Sequence, residues 1–513
     1  MADYLLGIDL GTTACKTGIF DTNGNRVALA SKEYPLYTPY PSYAEQDAED
    51  WWNAVVETLK EVLDASGIDP RDIKGIGAGG PCYGHVFLDS SGNVLRRAIT
   101  FQDRRATKQA QWIMKNLNDQ KRFELTGNPL PVDSSFSPCR LLWIKENEPE
   151  LLDKTDKVLQ PKDFINFKLT GSFATDSLSA AGLVNLIDNK YYKEYFDLLG
   201  IPMNIVPDVH PSFDIIGKIT REVSNITDLC QGTPVVTGWM DGTCCCIGSG
   251  MVEHGRANDM CGTADNIGVM SKNFAFDEGL MVGPIFDLFF IGGGTSAGGY
   301  SLKWFRNTFG QIEAQIANQI PGLSSYTLLD MEADSVVPGA DNLIFLPYII
   351  GERSPIWDPN AKGLFIGITE RHTKAHFVRA IMEGVAYSIR HILEIAEKAS
   401  KIKVEEIRVA GGGGKSEVWN QIKADVLGRR FLKLKELEVG ALGGAMLAGM
   451  GTNIFKDQRE ASELMVHVEK IIEPNMENHR RYDKLFNIYK GLYPLLKNTF
   501  LKLTENEDSL KEE

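Results

Sequence analysis

Positive charge is what this sequence has too little of. Its 513 residues include 54 Lys and Arg against 68 Asp and Glu, which gives a formal net charge of -14 and a pI near 5.2. An acidic surface repels phosphate backbones and anionic lipid, so we expect neither nucleic acid nor a membrane as a partner. The start, MADYLLGIDL, has no basic cluster and no long apolar run, so we expect neither a signal peptide nor a spanning helix there.

Cysteine is also scarce, with eight residues in the whole chain. This number does not suggest a disulfide framework and favours a reducing compartment, so we expect a cytoplasmic protein. Three cysteines are consecutive, Cys244-Cys245-Cys246. Successive helical residues point roughly 100° apart, so the three thiols do not close around one metal ion. We interpret them as small residues of a packed helix.

The length of the chain favours two large domains, because it is too long for a single core. Hydrophobic residues make up 43% and charged residues 24%, values typical of globular proteins. Apolar periodicity and turn residues alternate between strand and helix, which predicts an α/β fold. The predicted elements are strands at 4–9, 15–20, 26–34, 73–80 and 342–348, helices from about Asp47, from Thr373 to about Lys401 and, last, from near Gly440, and a strand–loop–helix at 407–428.

The two halves of the chain open in the same way. LLGIDLGTTACKTGIFD (5–21) and ANDMCGTADNIGVM (257–270) each read as a strand, a polar Gly-Thr turn and a second strand. We therefore predict two related domains around a central cleft, with a break near 250–255. The predicted segments are an N-terminal domain at 1–250, a C-terminal domain at 251–502 and an acidic, disordered tail at 503–513.

Three further motifs match well-known sites only in part. GIGAGG (75–80) has the spacing of a dinucleotide fingerprint, but a loop and a strand are predicted after it instead of a helix. VAGGGGKS (409–416) resembles a P-loop but has Val409 where the first glycine belongs. HTKAH (372–376) spaces two histidines as zinc ligands would be spaced, yet the Glu is missing and Thr373 has the character of a helix N-cap. We expect none of the three sites.

One acidic residue stands alone in GWMDGTCCCIGSG (238–250). Asp241 lies between a predicted strand at 233–237 and a helix of small residues, where α/β enzymes commonly carry out their chemistry. An aspartate in this position is equally typical of a helix cap. The local pattern leaves both interpretations open.

Several segments, taken in order, carry a resemblance to a known family. They are GIDLGTTACKTGIFD, YAEQDAEDWW, TFQDRR, MDGTCCCIGSGMVEHG, CGTADNIGVM, GERSPIWDPNAKGLFIGITERHTKAHFVRAIMEGVAY and AGGGGKSEVWNQIKADVLGR. Their order over nearly the whole chain resembles the FGGY carbohydrate kinases, and in particular the xylulokinase-like branch. The resemblance implies the fold of actin, hexokinase and glycerol kinase, in which two actin-like (ribonuclease H-like) domains of duplicated origin close over ATP and sugar.

The resemblance implies ATP and Mg²⁺ as cofactors and assigns residues to them. A hairpin tip turns backbone N–H groups and hydroxyls toward one point, where they can hold phosphate oxygens. Asp9 beside such a site calls for a cation, and Mg²⁺ accepts one or two carboxylates, so Asp9 and Asp241 are the expected metal contacts. Asp241 matches the family's catalytic base. The positions that match the family's ATP contacts are Gly11, Thr12, Thr13, Lys16, Gly262, Thr263, Gly412, Gly413 and Gly414. A helix–sheet junction that needs small residues is the alternative for the last three.

The acceptor is less clearly indicated. Xylulokinases have Gln-Met-His-Gly where this chain has Pro81-Cys82-Tyr83-Gly84, and Asn after the catalytic aspartate where it has Gly242. The segment 101–105, Phe-Gln-Asp-Arg-Arg, is closer to glycerol kinases, and the Asp-Gly pair at 241–242 to gluconate-type kinases. Tyr83, Gln102, Asp103 and Asp241 are the predicted sugar contacts; for Tyr83 a packed aromatic ring is the alternative.

The predicted function is an ATP-dependent carbohydrate kinase. Its acceptor would be a small ketose such as xylulose, or a related polyol or sugar acid, with gluconate and glycerol as alternatives. A non-catalytic ATP-binding regulator with the same fold is the alternative from another class. A homodimer is expected from the family alone.

Overall fold

The computed structural model describes residues 3–128 and 132–512 of a chain that forms two compact units. The first contains Met1–Gly248 and Val439–Met465, and the second contains Ser249–Glu438 and Val466–Glu513. The sequence-based division at 250 differs from this arrangement for residues 439–465. Second-unit residues lie on both sides of that segment in the chain, but the segment itself packs with the first unit, a long-range contact that no local pattern indicates.

The first unit is built from short strands and helices around one large sheet. Its strands are β1 (Tyr4–Leu10), β2 (Ala14–Asp21), β3 (Arg26–Glu33), β4 (Glu45–Gln46), β5 (Ile73–Gly80), β6 (Val86–Leu88), β7 (Ala98–Ile99), β8 (Lys157–Leu159), β9 (Ala174–Thr175), β10 (Val184–Asn185), β11 (Lys190–Tyr191), β12 (Asp208–Val209), β13 (Ile215–Lys218), β14 (Pro234–Val236) and β15 (Trp239–Met240). Its helices are α1 (Ala48–Ser66), α2 (Thr107–Asn116), α3 (Asp119–Thr126), α4 (Ser137–Asn147), α5 (Pro149–Lys154), α6 (Pro161–Thr170), α7 (Lys193–Leu199), α8 (Arg221–Thr227), α9 (Asp241–Gly248), α15 (Val439–Gly451) and α16 (Gln458–Met465).

The large sheet of this unit has the order β13-β14-β5-β1-β2-β3, with β15 also paired to β5. Strands β1, β2 and β3 are antiparallel, whereas β5 runs parallel to β1 and to β15. Residue Asp9 lies opposite Gly79, and Trp239 lies opposite the same glycine from the other side. The carboxyl ends of β1, β5 and β15 therefore meet at one edge of the sheet.

Helix α15 packs on this sheet at a distance that only glycine permits. A Cβ atom on Gly7 would lie 1.7 Å from the Ala441 carbonyl oxygen, and one on Gly77 would lie 2.1 Å from the Gly444 carbonyl oxygen. The helix itself is composed almost wholly of small and apolar buried residues. Small residues on both surfaces let helix and strands approach closely, which explains why 439–451 belongs to the first unit.

The second unit has its own sheet and its own core. Its strands are β16 (Ala257–Cys261), β17 (Asp265–Ser271), β18 (Met281–Ile285), β19 (Leu288–Thr295), β20 (Ile344–Leu346), β21 (Leu364–Ile366), β22 (Glu406–Ala410), β23 (Arg430–Leu434) and β24 (Val468–Ile472). Its helices are α10 (Gly298–Phe309), α11 (Gln311–Gln319), α12 (Ser325–Asp334), α13 (Lys374–Ser400), α14 (Glu417–Leu427) and α17 (Met476–Glu512).

The sheet of the second unit repeats the central topology of the first. Its order is β18-β19-β17-β16-β22-β23-β24. Strand β16 pairs antiparallel with β17 and parallel with β22, as β1 pairs with β2 and β5. Each unit thus places a β-hairpin followed by parallel strands in its sheet, so the mixed α/β prediction with two sheet-containing domains is confirmed.

Local predictions were accurate where the pattern was strong. The helix predicted from about Asp47 begins at Ala48, with the Asp47 side chain as its cap, and Thr373 is the N-cap of α13 as predicted, in a capping box with His376. The segment 73–80 is a strand followed by a turn and β6, so the helix that a dinucleotide fingerprint requires is absent there. Cys244–Cys246 lie in α9.

Two predictions near the C-terminus were wrong. The helix that starts near Gly440 is followed by α16 and α17, and α17 continues through 503–512, where a disordered tail was predicted. Glu, Leu and Lys in this tail are good helix formers, so it can extend an existing helix despite its charge. Glu513 lies outside the described residues. In the described part of the chain, no helix is long and apolar enough to cross a membrane.

Candidate functional site

The hairpin tip Gly11–Thr13 joins β1 to β2, and its carbonyl groups are hydrogen-bonded to the rest of the first unit. The Gly11 N–H donates to the Ala14 carbonyl oxygen at 2.9 Å. The tip carbonyl groups accept hydrogen bonds from the Tyr34 hydroxyl (to Gly11), the Gln46 side-chain amide (to Thr12, 3.0 Å) and the Tyr34 N–H (to Thr13, 3.1 Å). Within 3–128 and 132–512, the N–H groups of Thr12 and Thr13 have no hydrogen-bond partner. The tip therefore offers donors to an anion.

Asp9 and Asp241 lie at the same edge of the first unit's sheet. Asp9 is the penultimate residue of β1, and Asp241 directly follows β15. A Cβ atom on Gly440 would lie 2.5 Å from Asp9 Oδ2, so the Asp9 carboxylate meets the first turn of α15. A helix N-terminus carries partial positive charge, which stabilises this carboxylate. Two acids far apart in sequence are thus brought together by strand pairing.

One oxygen of the Asp241 carboxyl is hydrogen-bonded within its own helix, α9. Its Oδ1 accepts the Gly242 N–H at 2.6 Å, which leaves Oδ2 as the atom that can accept a proton. Burial raises the pKa of Asp241, and the Gly242 hydrogen bond opposes this shift. A carboxylate with a raised pKa is a better proton acceptor than an ordinary surface aspartate.

The donor set at this edge fits a divalent cation that arrives with a nucleotide. Among the described residues, no group of three or more His, Cys, Asp or Glu could hold a metal ion. Mg²⁺ commonly uses one or two carboxylates together with water and substrate phosphates. Asp9 and Asp241 supply that number, and Lys16 lies opposite Asp9 across the β1–β2 pair.

Tyr83 combines a constrained backbone with a packed ring. Its φ is 59°, in the left-handed region that a bulky residue rarely adopts. The ring stacks on Phe136 with centroids 4.8 Å apart, and burial raises the pKa of the hydroxyl well above its ordinary value. The stacking on Phe136 therefore supports the interpretation of Tyr83 as a packed aromatic residue. A strained conformation at a loop residue is common at binding sites.

Gln102 and Asp103 are adjacent but lie in opposite environments. Gln102 is exposed and lines a small cavity together with Thr12 and Gln46. Asp103 is fully buried and accepts hydrogen bonds from the Arg105 guanidinium and from the Ala44 N–H at 2.7 Å. Because Asp103 presents no surface to a ligand, its geometry supports a positioning role instead of the predicted direct contact with sugar.

Arg140 is a residue that the sequence analysis missed. It is fully buried, and burial lowers its pKa to about 9. Its guanidinium donates to the carbonyl oxygens of Tyr83, Ile99 (3.3 Å) and Asp103 (3.2 Å). No described carboxylate lies within 4 Å of it. Arg140 therefore ties the Tyr83 loop to the segment that carries Gln102, and an arginine inside the apolar helix SPCRLLWIKEN was the available signal.

The hairpin Gly262–Thr263 of the second unit is held like the first. Its Gly262 N–H donates to the Ala264 carbonyl oxygen at 2.9 Å. The carbonyl groups of Gly262 and Thr263 accept the N–H groups of Gly299 and Tyr300, both at 3.0 Å, from the start of α10. Gly262 and Thr263 are exposed. Both units therefore present a hairpin tip whose carbonyl groups are tied back into the fold.

A buried ionic cluster supports the second hairpin. Lys423 of α14 lies 2.7 Å from Asp259 Oδ2 and 2.7 Å from Asp265 Oδ2, and all three side chains are buried. Burial and the neighbouring Asp265 raise the pKa of Asp259 well above its ordinary value. Two carboxyl groups around one ammonium ion favour a shared proton. The cluster links both strands of the hairpin to α14.

The glycine loop between β22 and α14 is only partly explained by packing. Gly411 has a φ of 83°, and a Cβ on Gly413 would lie 2.3 Å from the Cys261 Sγ. A Cβ on Gly414 would lie 3.1 Å from Val409 Cγ1, whereas one on Gly412 would meet nothing within 4 Å. The helix–sheet junction thus accounts for the other glycines but not for Gly412. An open, side-chain-free backbone is what a flat ligand requires.

Because the resemblance implies that adenosine lies on this loop, we expect Gly412→Ala to weaken ATP binding without weakening the fold. The added methyl group has free space in the protein but would obstruct a nucleotide that lies on the loop. The KM for ATP should rise about tenfold, equivalent to about 1.4 kcal/mol. Steady-state kinetics and the thermal midpoint check this, and an unchanged KM for ATP would leave Gly412 without a role in binding.

Glu352 is a buried carboxyl with an unusual titration. It accepts the Thr295 hydroxyl at 2.6 Å and the N–H groups of Ser296 and Arg353 at 2.7 and 2.8 Å, and burial raises its pKa to about 7. The ordinary pKa of Glu is 4.5. Between pH 4.5 and 7 the native state binds this proton more tightly than the unfolded chain, so its contribution to stability falls as pH rises.

Glu352→Gln should remove that pH dependence. The amide oxygen can accept both N–H groups, and the amide N–H can donate to Thr295. At pH 8 we expect the variant to be more stable than the wild type by up to about 3 kcal/mol, while below pH 4.5 the two should converge. Urea unfolding at pH 4.5 to 8 measures the free energy of unfolding of both proteins. A difference between them that does not change with pH would contradict this prediction.

Family profiles, full-length relatives and a solved structure all match this chain to carbohydrate kinases. The profile described as "FGGY family of carbohydrate kinases, N-terminal domain" matches residues 4–248, and its C-terminal counterpart matches 257–452. The chain is 34% identical to a xylulose kinase of Bacillus subtilis (strain 168), covering 97% of this chain and 99% of the relative. It is 29% identical to a gluconokinase of the same organism, covering 99% of each. The solved xylulose kinase from Lactobacillus acidophilus has a TM-score of 0.85, 28% identity and coverage of 98% and 100%.

Proposed function

The chain belongs to the FGGY family of carbohydrate kinases and is an ATP-dependent sugar kinase, and from this premise we propose that Asp241 is its catalytic base. The observation that carries the proposal is the position of Asp241, at the strand edge that also holds Asp9 and beside the donor-rich tip at 11–13. The family assignment removes support from the alternative of a non-catalytic regulator.

In the proposed reaction, the acceptor hydroxyl oxygen attacks the γ-phosphorus of ATP. The bond from that phosphorus to the ADP oxygen breaks, and the hydroxyl proton passes to Asp241 Oδ2. The N–H groups of Thr12 and Thr13 hold phosphate oxygens, and Lys16 adds positive charge. Mg²⁺, held by Asp9 and Asp241, would neutralise charge on the transferring phosphates. Phosphoryl transfer requires positioning and charge stabilisation more than covalent chemistry.

The second unit is proposed to contact ATP through two segments. The hairpin Gly262–Thr263 would hold phosphate oxygens through its exposed tip, and the loop Gly412–Gly414 would lie against the adenosine. The hairpin proposal is supported by the hydrogen bonds from the start of α10 to the hairpin's carbonyl groups. The loop proposal is supported by the open space at Gly412.

The proposed acceptor is a small ketose such as xylulose, with a sugar acid such as gluconate as the second candidate. The first follows the xylulose kinase relatives. The second follows the gluconokinase relatives and the Asp-Gly pair at 241–242. A cytoplasmic location fits eight free cysteines, and a homodimer stays a prediction from the family.

The decisive experiment is a coupled assay of ADP release from ATP. It is run without an acceptor and with each member of a panel of pentuloses, hexuloses, polyols and aldonic acids. We expect acceptor-dependent ADP release with one preferred compound, and release slowed by about 10²- to 10⁴-fold with Asp241→Asn. Release that does not depend on an acceptor would contradict the proposal, because a kinase needs the acceptor and an ATPase does not.

A further inference from the structure

Helix α14 contacts both segments of the second unit that are proposed to bind ATP. The Asn420 side-chain amide donates to the carbonyl oxygen of Gly414, in the glycine loop, at 2.8 Å. Three residues further along the helix, the Lys423 ammonium reaches the carboxylates of Asp259 and Asp265, which lie on the two strands of the hairpin. Residues three apart lie on the same face of a helix. One face of α14 therefore holds the glycine loop and the hairpin together.

The glycine loop and the hairpin are also in direct contact, at the end of β16. A Cβ atom on Gly413 would lie 2.3 Å from the Cys261 Sγ, and one on Gly411 would lie 2.7 Å from the Cys261 carbonyl oxygen. Cys261 directly precedes Gly262 of the hairpin tip. Groups packed this closely transmit a shift of one segment to the other. The separation between the proposed phosphate and adenosine contacts is therefore set by the way in which α14 holds each of them.

Helix α14 is itself anchored to the rest of the second unit at its first turn. The Ser416 hydroxyl oxygen accepts the Trp419 N–H at 3.0 Å and donates to Asp330 Oδ1 of α12 at 2.9 Å. The Trp419 indole N–H donates to the Met382 carbonyl oxygen of α13 at 3.0 Å. The contacts of α14 with the loop and the hairpin therefore start from a helix that is fixed relative to α12 and α13.

Stability alone does not account for the charged cluster around Lys423. The side chains of Lys423, Asp259 and Asp265 are at most 2% exposed, so all three charged groups have lost their hydration. Well-packed apolar residues in place of such a cluster are often as stable or more stable. An ammonium group differs from an apolar contact because it fixes specific oxygen atoms at hydrogen-bond distance. A need to hold the hairpin in one position therefore explains the cluster better than its contribution to stability.

We propose that Lys423 is a positioning residue for ATP, which holds the hairpin Gly262–Thr263 at the separation from the glycine loop that one nucleotide needs between its phosphates and its adenosine. The inference rests on the proposed function, in which these two segments contact ATP. Lys423 is buried and acts through the hairpin, because Asp265 follows Thr263 by only two residues. Loss of its ammonium group frees the hairpin from α14 while Asn420 still holds the loop.

The first test is Lys423→Met in the full-length protein. Methionine keeps an unbranched, flexible side chain but has no ammonium group. Misplacement of a binding group by about 1 Å can lower the rate by about 10²-fold, so we expect kcat/KM for ATP to fall by up to about that factor. The Kd of ADP should rise more than the Kd of adenosine, which has no phosphates for the hairpin to hold. The KM for the acceptor, measured at saturating ATP, should be unchanged. Displacement of a fluorescent ATP analogue measures both dissociation constants.

Arg379→Met is the matched control, because it removes another buried cation from the same unit. The Arg379 guanidinium lies 2.7 Å from Glu383 Oε1 and donates to the Tyr482 hydroxyl at 3.0 Å. Neither partner belongs to the hairpin or to the glycine loop. Both variants should lower the thermal midpoint, because each leaves a buried carboxylate without its cation. Only Lys423→Met should weaken the binding of ADP.

A second variant tests the inference even where Lys423→Met does not fold. The triple change Asp259→Val, Asp265→Val and Lys423→Met leaves no unpaired charge in the cluster, so the thermal midpoint should equal or exceed that of the wild type. The hairpin nevertheless loses its directional attachment to α14. We therefore expect the triple variant to bind ADP less tightly than the wild type in spite of its stability.

The outcomes separate this inference from the proposed function. A stable triple variant that binds ADP as tightly as the wild type would overturn the inference. Equal effects of Lys423→Met and Arg379→Met on the Kd of ADP would also overturn it, because that result assigns Lys423 to stability alone. A wild type that phosphorylates no acceptor would overturn the proposed function instead, and the comparison of ADP binding would still decide the role of Lys423.

Discussion

Replacement of Asp241 by Asn is expected to lower kcat by about 10²- to 10⁴-fold, the contribution typical of a general base. The amide keeps the size of the side chain and can still accept the Gly242 N–H, but it cannot take the proton of the acceptor hydroxyl. ATP affinity should be close to that of the wild type, because binding of the adenosine does not need this proton transfer. Coupled ADP release and titration with a fluorescent ATP analogue measure the two quantities separately.

The pH profile provides a second readout for the same variant. Burial raises the pKa of Asp241, so kcat of the wild type should increase with pH as this carboxyl loses its proton. Asp241→Asn should lack that increase. Asp69→Asn, at an exposed turn, serves as the control and should leave kcat unchanged. A kcat for Asp241→Asn within twofold of the wild type would remove Asp241 from the mechanism.

Replacement of Gly7 by Ala is expected to have the largest effect on stability. A Cβ at Gly7 would lie 1.7 Å from the Ala441 carbonyl oxygen and 2.9 Å from the Ala445 nitrogen, both backbone atoms of α15. Neither β1 nor α15 can yield without losing its own hydrogen bonds. We expect a loss of about 3 kcal/mol or more, at or above the upper end of the usual range for overpacked cores. Urea unfolding monitored by circular dichroism measures it.

Gly491→Ala is a control that should change the stability in the opposite direction. Gly491 lies inside α17 with nothing within 4 Å of a would-be Cβ. Ala in a helix interior is favoured over Gly by about 0.8–1.0 kcal/mol, so this variant should be slightly more stable than the wild type. Similar unfolding curves for Gly7→Ala and Gly491→Ala would show that α15 does not pack on β1 as described.

The elements with strong local patterns were predictable. The strand at 73–80, the helix start near Asp47 and the N-cap at Thr373 depend on neighbours within a few residues in the chain. The strand predicted at 342–348 was shorter in the structure, at 344–346, because strand ends depend on the pairing partner. The disorder predicted for 503–512 was wrong for a similar reason, because adding residues to an existing helix is easier than starting a new one.

The sequence alone determined the fold class, the two hairpins and the family, since these depend on local periodicity and on motifs in a given order. Only the tertiary structure decided which of those residues meet. It brought Asp9 and Asp241 to one strand edge, placed α15 on the first sheet, buried Asp103 under Arg105 and tied two loops to Arg140. The physical reason is that strand pairing and burial depend on contacts between residues far apart in the chain, and no local pattern contains those contacts.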